Sequence, residues 1–268
     1  MRVLGAAALF LLGAVVGSFL NVCIHRLPRG ESIVRPRSRC PRCGAPIRPA
    51  DNVPVLSWLR LRGRCRACGW RIPARYPLVE AATAALFAGG YLRFGGDPAF
   101  AVFLPFQAIC VALFVIDAEH RLLPDRLTLS GTALGLLLSP WNPILDPADA
   151  LVGAATGAAL SSTLILGYWL ARGRQGMGWG DVKMLAMIGA FLGWELTLFA
   201  IVLSSLVGLG WWAILQAGGR GRGLEEILPF GSFLALGATG CLWFGPPAVE
   251  WYRGLLAGTV AAARIVLP

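Results

Sequence analysis

The sequence predicts an all-α polytopic membrane protein of about eight transmembrane helices with a folded loop domain between the first and second spans, and three observations carry that prediction. The 268 residues are 56% hydrophobic and 14% charged, with mean hydropathy +0.66, whereas a soluble domain holds roughly 25% charged residues. Apolar runs long enough to cross a hydrocarbon core of about 30 Å recur along the chain. Between the first two of them, a polar, arginine-rich segment carries two closely spaced pairs of cysteines.

The first run, 3–24, follows Met1-Arg2 and so could pass for a secretory signal. Cleavage would export residues 25–76, and that loop holds thirteen arginines against Glu31 and Asp51. Such a cluster resists translocation, so 1–24 reads as an uncleaved transmembrane helix and 25–76 as a cytoplasmic domain. Residues 77–268 read as a multi-helix membrane domain, with long runs near 77–95, 98–117, 149–171 and 195–217 and shorter ones near 126–140, 181–194 and 229–245. The last stretch, 250–268, carries Glu250, Arg253 and Arg264, and suits the membrane surface as well as a crossing. Threading the spans puts Arg121 and Arg126, then Arg172, Arg174 and Lys183, then Arg220 and Arg222 on the same side as the loop. That side then holds 20 of the 24 basic residues, which fixes it as cytoplasmic. The +10 net charge is thereby a topology signal with anionic-lipid contact, and it requires no nucleic acid.

Four of the seven cysteines form Cys40-Pro-Arg-Cys43 and Cys65-Arg-Ala-Cys68, separated by 21 residues, and each pair is followed by glycine, Gly44 or Gly69. Each turn presents two thiolates to one ion, so two such knuckles predict a tetrahedral zinc site. Redox dithiols and structural disulfides are the competing readings, and a cytoplasmic location argues against lasting disulfides. Cysteine at all four positions makes the metal structural rather than hydrolytic. A loop of about fifty residues with few apolar side chains buries little core, so metal binding supplies folding energy. Cys23, Cys110 and Cys241 stand alone in apolar runs and read as packing residues; His25 and His120 are lone histidines.

Ionisable groups at the edges of spans are costly and count as functional candidates. Here they are Glu80, Asp117, Glu119, Asp125 and Asp181. Asp117 closes the run 108–117 at the carboxyl end of its helix, where a negative charge costs roughly 0.3–1 kcal/mol and caps nothing. Asp181 follows Gly178-Trp-Gly180 and precedes Val-Lys-Met-Leu, a pattern that suits a helix N-cap. Topology adds a second reading. Asp117 ends an out-to-in span and Asp181 opens an in-to-out one, so both fall at the same cytoplasmic depth. Two carboxylates in a poorly hydrated site share a proton. One can then deprotonate a water while the other donates to a scissile carbonyl, as in aspartic proteases. Gly176, Gly178 and Gly180 would allow close backbone approach and positive φ beside an extended substrate. A phosphate-cradling loop would need GxxxxGK[ST], which is missing. Asp125 follows Pro124 and can cap a helix starting at Arg126. Glu119 reads as a solvated neighbour or tuning charge, Lys183 as a charge beside Asp181 or a lipid contact, and Glu80 as a cap or a partner of Arg75.

Several stretches appear in order from residue 17 to residue 237. They are Gly17-Ser-Phe-Leu-Asn-Val22 leading to Arg26-Leu-Pro28, the paired CxxC motifs, and Asn52-Val-Pro-Val-Leu-Ser-Trp58 before Leu61-Arg-Gly-Arg-Cys65. Then follow Arg75-Tyr-Pro-Leu-Val-Glu80, Asp117 with Leu123-Pro-Asp125, Gly178-Trp-Gly-Asp181 with Lys183, and Leu228-Pro-Phe-Gly-Ser-Phe-Leu-Ala-Leu-Gly237. On these residues the chain resembles the bacterial type IV prepilin peptidases, membrane aspartyl proteases with a GxGD motif. Trp179 stands where a smaller or polar residue is frequent, and Ser232 replaces a proline often found there.

The resemblance implies that Asp117 and Asp181 are the catalytic pair, with Gly178 and Gly180 in the active-site loop. It implies prepilin and type II secretion pseudopilin substrates, cut after a glycine at the cytoplasmic face of the bacterial inner membrane. It also implies methylation of the new N-terminus from S-adenosylmethionine. A free α-amine has a pKa of about 8, so methyl transfer demands no strong base and leaves no catalytic signature in the sequence. Asp51, Asn52 and Glu80 are donor-site candidates by location alone. Two other classes are weighed: a polytopic transporter whose cysteine loop senses metal, and a scaffold that docks secretion components through the basic loop. A transporter would spread its acids through the membrane depth, whereas these cluster at cytoplasmic ends.

Overall fold

A computed structural model describes residues 2–95, 97–174, 177–218 and 229–266. Its helices are α1 (Arg2–Arg26), α2 (Leu56–Arg60), α3 (Arg75–Arg93), α4 (Phe103–His120), α5 (Asp125–Leu138), α6 (Pro147–Arg172), α7 (Trp179–Ala217) and α8 (Phe230–Val266), with short 3-10 turns between some of them. Extended pairing among the described residues is confined to two isolated bridges, Arg39 with Pro46 and Arg64 with Arg71. The fold is all-α, as the hydropathy pattern requires.

Among the described residues, four helical segments are long and apolar enough to cross a membrane: Arg2–Arg29, Ala99–His120, Pro147–Arg172 and Trp179–Ala217, with Phe230–Gly245 a shorter apolar helix. Leu11, Val15, Leu164, Leu166, Val202, Leu206 and Leu209 face outward on these segments, an apolar exterior suited to lipid. The eight expected runs meet the structure with two differences. The runs 181–194 and 195–217 form one 39-residue helix, α7, bent where Gly193 leaves helical geometry at φ 76°. The run 229–245 and the amphipathic tail likewise share α8.

The chain divides into two compact units, Met1–Gly131 and Thr132–Pro268. In the first, α1 and α3 run antiparallel at backbone contact. A Cβ on Gly13 would stand 2.7 Å from the Ala84 Cα, and one on Gly17 2.7 Å from the Glu80 Cα. Small residues four apart on an apolar helix permit such approach. Leu20, Ile24, Val79, Phe87, Ala108, Ala112 and Ile116 then close a common core with α4. The second unit repeats the device. A Cβ on Gly153 of α6 would meet the Gly189 carbonyl oxygen of α7 at 2.3 Å, and one on Gly157 the Leu185 oxygen at 2.4 Å. Helix α8 packs antiparallel on α7, where a Cβ on Gly237 would lie 2.2 Å from the Ser204 Oγ.

Candidate functional site

The two cysteine knuckles fold alike. The Cys40 N–H donates to the Ala45 carbonyl at 2.9 Å and the Gly44 N–H to the Cys40 carbonyl at 2.9 Å; Cys65 pairs with Trp70 at 2.8 Å and Gly69 with Cys65 at 2.9 Å. Gly44 and Gly69 adopt φ 70° and 69°, the left-handed conformation that makes glycine the residue after each pair. All four Sγ atoms lie within 4.8 Å of one another, Cys40 and Cys68 at 3.9 Å. Thiolates about 2.3 Å from a tetrahedral zinc ion are separated by about 3.8 Å, so the donor set fits that metal. The N–H groups of Cys68 and Ala67, aimed at the Cys65 sulfur, hold its thiol down to about 7, whereas the Cys68 thiol of the same cluster is pushed up to about 11. All seven cysteines are free of disulfides, and Cys23, Cys110 and Cys241 are buried as expected of packing residues.

Point attachments order the rest of the loop. Arg66 grips Asp51 through two hydrogen bonds of 2.8 and 2.7 Å and Arg60 adds a third of 2.8 Å. The Arg66 bonds chiefly hold the Asp51 carboxyl down to about 2. Buried Arg26 donates to the Ser32 and Pro36 carbonyls at 2.8 and 2.7 Å, and the Trp58 indole to the Ile72 carbonyl at 3.1 Å. Val55 has φ 60° and ψ −51°, with a 2.5 Å bond from the Leu56 N–H to the Pro54 carbonyl. That is a γ-turn of the strained positive-φ form, rare for a β-branched residue.

Glu80 accounts for the anchorage of that turn. Its buried carboxylate accepts the Val55 N–H at 2.6 Å and a hydrogen bond from Ser18. The expected pairing with Arg75 is not formed, because Arg75 instead pairs with Glu119, its guanidinium 5.0 Å from the Tyr76 ring centre. Glu119 is therefore a structural ion-pair partner that ties the last turn of α4 to the first of α3. Asp51 and Glu80 are both committed to loop contacts.

Asp117 is 6% exposed in the last turn of α4, beside fully buried Leu113 and Ile116. Arg121, in the left-handed region at φ 53°, ends the helix by donating its N–H to the Asp117 carbonyl at 2.8 Å. Asp181, 8% exposed, opens α7 in the second unit. It is not the N-cap. Gly178 holds that position, and Asp181, three residues on, accepts the Gly178 N–H on its Oδ2 at 3.1 Å. This is the returning half of a capping box, in which a helix-start carboxylate satisfies an orphan backbone donor. Gly178 has φ −83°, so it does not use the positive φ expected of it, and Gly180 lies inside the first turn of α7 instead of in the loop. Gly176 lies outside the described residues. Asp125 is the first residue of α5, one position earlier than the expected helix start, with Pro124 accepting the Leu127 N–H at 2.9 Å.

Two family models match successive parts of the chain. Residues 11–94 match the bacterial peptidase A24 N-terminal domain, and residues 104–213 match the type IV leader peptidase family. The prepilin leader peptidase/N-methyltransferase of Burkholderia pseudomallei (strain 1026b) is 39% identical over 261 residues, covering 88% of this chain and 84% of the relative. The protein of that name from Myxococcus xanthus is 42% identical over 223 residues, covering 82% of this chain and 67% of the relative. The one from Pseudomonas aeruginosa is 38% identical over 269 residues, covering 90% and 91%. No solved structure matches the chain.

Proposed function

The chain belongs to the type IV leader peptidase family, and from that premise we propose how its residues divide the work of a prepilin leader peptidase and N-methyltransferase. Asp117 and Asp181 form the proteolytic pair. One carboxylate takes a proton from water as the oxygen attacks the scissile carbonyl, and the other gives its proton to the carbonyl oxygen. Collapse of the tetrahedral adduct breaks the C–N bond, and the leaving amine takes up a proton. The observation that carries this assignment is the burial of both carboxylates at helix ends within the stretch 104–213 that matches the family. Among the described residues, the third buried acid of these helices, Glu80, is anchored to Val55.

Methylation follows on the amine that cleavage exposes. S-adenosylmethionine would supply an electrophilic methyl to that amine's lone pair, its sulfur keeping the electrons of the broken S–CH₃ bond and the ammonium proton passing to water. Substrates are prepilins and pseudopilins cut after a glycine, at the cytoplasmic face of the inner membrane. The arginine distribution supports that side. Within the first unit, the Arg75–Glu119 pair supports a shared end for the cysteine loop and Asp117. Residues 1–24 anchor the chain, 25–76 fold around a structural zinc held by Cys40, Cys43, Cys65 and Cys68, and 77–268 hold the peptidase helices. The activity of the relatives leaves the transporter and scaffold alternatives without support.

Mass spectrometry of a synthetic prepilin incubated with the purified enzyme tests both activities. Loss of the leader mass is expected without S-adenosylmethionine, and a further gain of one methylene unit with it. An intact prepilin under both conditions would refute the peptidase assignment.

A further inference from the structure

A cavity of about 380 Å³ opens in the first unit where the cysteine loop meets the ends of α1, α3 and α4, and it belongs to no step of leader cleavage. Building on the methyltransferase reading above, we propose that this cavity is the binding site for S-adenosylmethionine. Its volume falls in the roughly 300–1,000 Å³ range of small-molecule sites. Its lining side chains are His25, Arg42, Trp70, Arg75, Tyr76 and Glu119.

The chemistry of that lining matches a ligand that is at once cationic, anionic and aromatic. Trp70 and Tyr76 are half-buried rings, suited to stacking on a purine or facing a sulfonium. Arg42 is exposed and makes no ion pair among the described residues, so it is free to meet the carboxylate of the amino-acid moiety. Glu119, paired with Arg75, and His25 add polar groups to the lining. Arg42 is therefore the lining charge left to a ligand, and it favours one that carries a carboxylate. A zwitterionic lipid headgroup shares the charges but has no flat ring for Trp70.

Position along α4 strengthens the assignment. Glu119 lies two residues beyond Asp117, about 3 Å along the helix axis. The cavity and Asp117 therefore share one end of α4, with the Asp117 and Glu119 side chains on different faces of the helix. The cavity also gives the cysteine cluster a purpose. Arg42 sits inside the first knuckle, and the Trp70 carbonyl accepts the Cys65 N–H that closes the second. The metal fixes the spacing of the two walls. Asp51 and Glu80, singled out by location in the sequence, do not line this cavity.

Equilibrium dialysis of labelled S-adenosylmethionine against the purified full-length protein tests the site. Trp70→Leu and Arg42→Ala are each expected to weaken binding about tenfold or more, and Trp70→Phe to stay within about threefold of wild type. Unchanged zinc content and melting temperature establish that the variants are folded. If the wild type methylates while both Trp70→Leu and Arg42→Ala bind the donor at wild-type affinity, the cavity assignment is overturned and the proposed activity stands. If the wild type neither binds the donor nor methylates, the methyltransferase function itself is overturned, and the cavity assignment with it.

Discussion

The cysteine loop and the membrane helices are ordered by opposite means. In residues 25–76, order comes from discrete polar attachments: four convergent thiolates, the Arg60 and Arg66 clamp on Asp51, and the buried Arg26 that gathers two loop carbonyls. In the helices it comes from continuous backbone contact, where α1 lies on α3 and α6 on α7 through glycines too close for any side chain. The contrast reflects solvent. A chain surrounded by lipid gains little from burying apolar groups, and so relies on close packing, whereas a small polar loop in water has too little core and relies on ligation. The strained turn at Val55, held by Glu80, is one place where the two regimes are bolted together.

The largest expected effect tests whether activity depends on either kind of order. Asp117→Asn and Asp181→Asn should each lower leader cleavage by at least about a thousandfold, with helical circular dichroism and zinc content unchanged. Retained cleavage in either purified variant would remove that residue from the mechanism. Next in size is loss of metal. Chelation or Cys43→Ser should unfold the loop, since structural zinc contributes apparent binding energies of about 10–16 kcal/mol. Limited proteolysis should then cut within 25–76 while the helices keep their dichroism; equal collapse of both regions would dissolve the contrast.

A smaller effect is expected on the other side of the comparison. Gly189→Leu forces a side chain into the Gly153 carbonyl, which a Cβ would meet at 2.0 Å. A loss of about 1–3 kcal/mol in stability should result, read as a lower melting temperature at constant zinc content. The smallest belongs to Asp51→Asn, which should raise proteolysis of the loop modestly at neutral pH. Because the folded Asp51 carboxyl is held down to about 2, the clamp is fully present above the ordinary carboxylate value of about 3.9 and is lost as pH falls toward 2. Tryptic cutting of the loop at neutral pH, compared between variant and wild type at equal zinc content, checks the clamp.

Much of this was legible in particular residues. The knuckle spacing and the glycine after each pair announced the thiolate cluster, because two tight turns have few other uses. Cys23, Cys110 and Cys241 were legible as packing by their apolar neighbours. Helix partners were less so, although Gly13 with Gly17 and Gly153 with Gly157 carry a small-residue signal at the four-residue spacing that would have found both contacts. Arg75 and Glu80 share a helix start, yet their partners, Glu119 and Val55, come from segments 44 and 25 residues away. Asp181 was misplaced by three positions as a cap, because either it or Gly178 can begin a helix and only backbone geometry chooses between them.

Composition alone determined that this is a helical membrane protein, since a chain with so few charges and such long apolar runs can satisfy its backbone in lipid by helices. Spacing alone determined the four-thiolate set, since local turns place those sulfurs whatever the rest of the chain does. Tertiary structure decided the commitments of the isolated charges: Glu80 to a backbone N–H, Arg75 to Glu119, and Asp51 to two arginines. It also gathered Arg42, Trp70, Tyr76 and Glu119 around one cavity. Those outcomes depend on which helix ends meet, a long-range property that no local pattern of residues encodes.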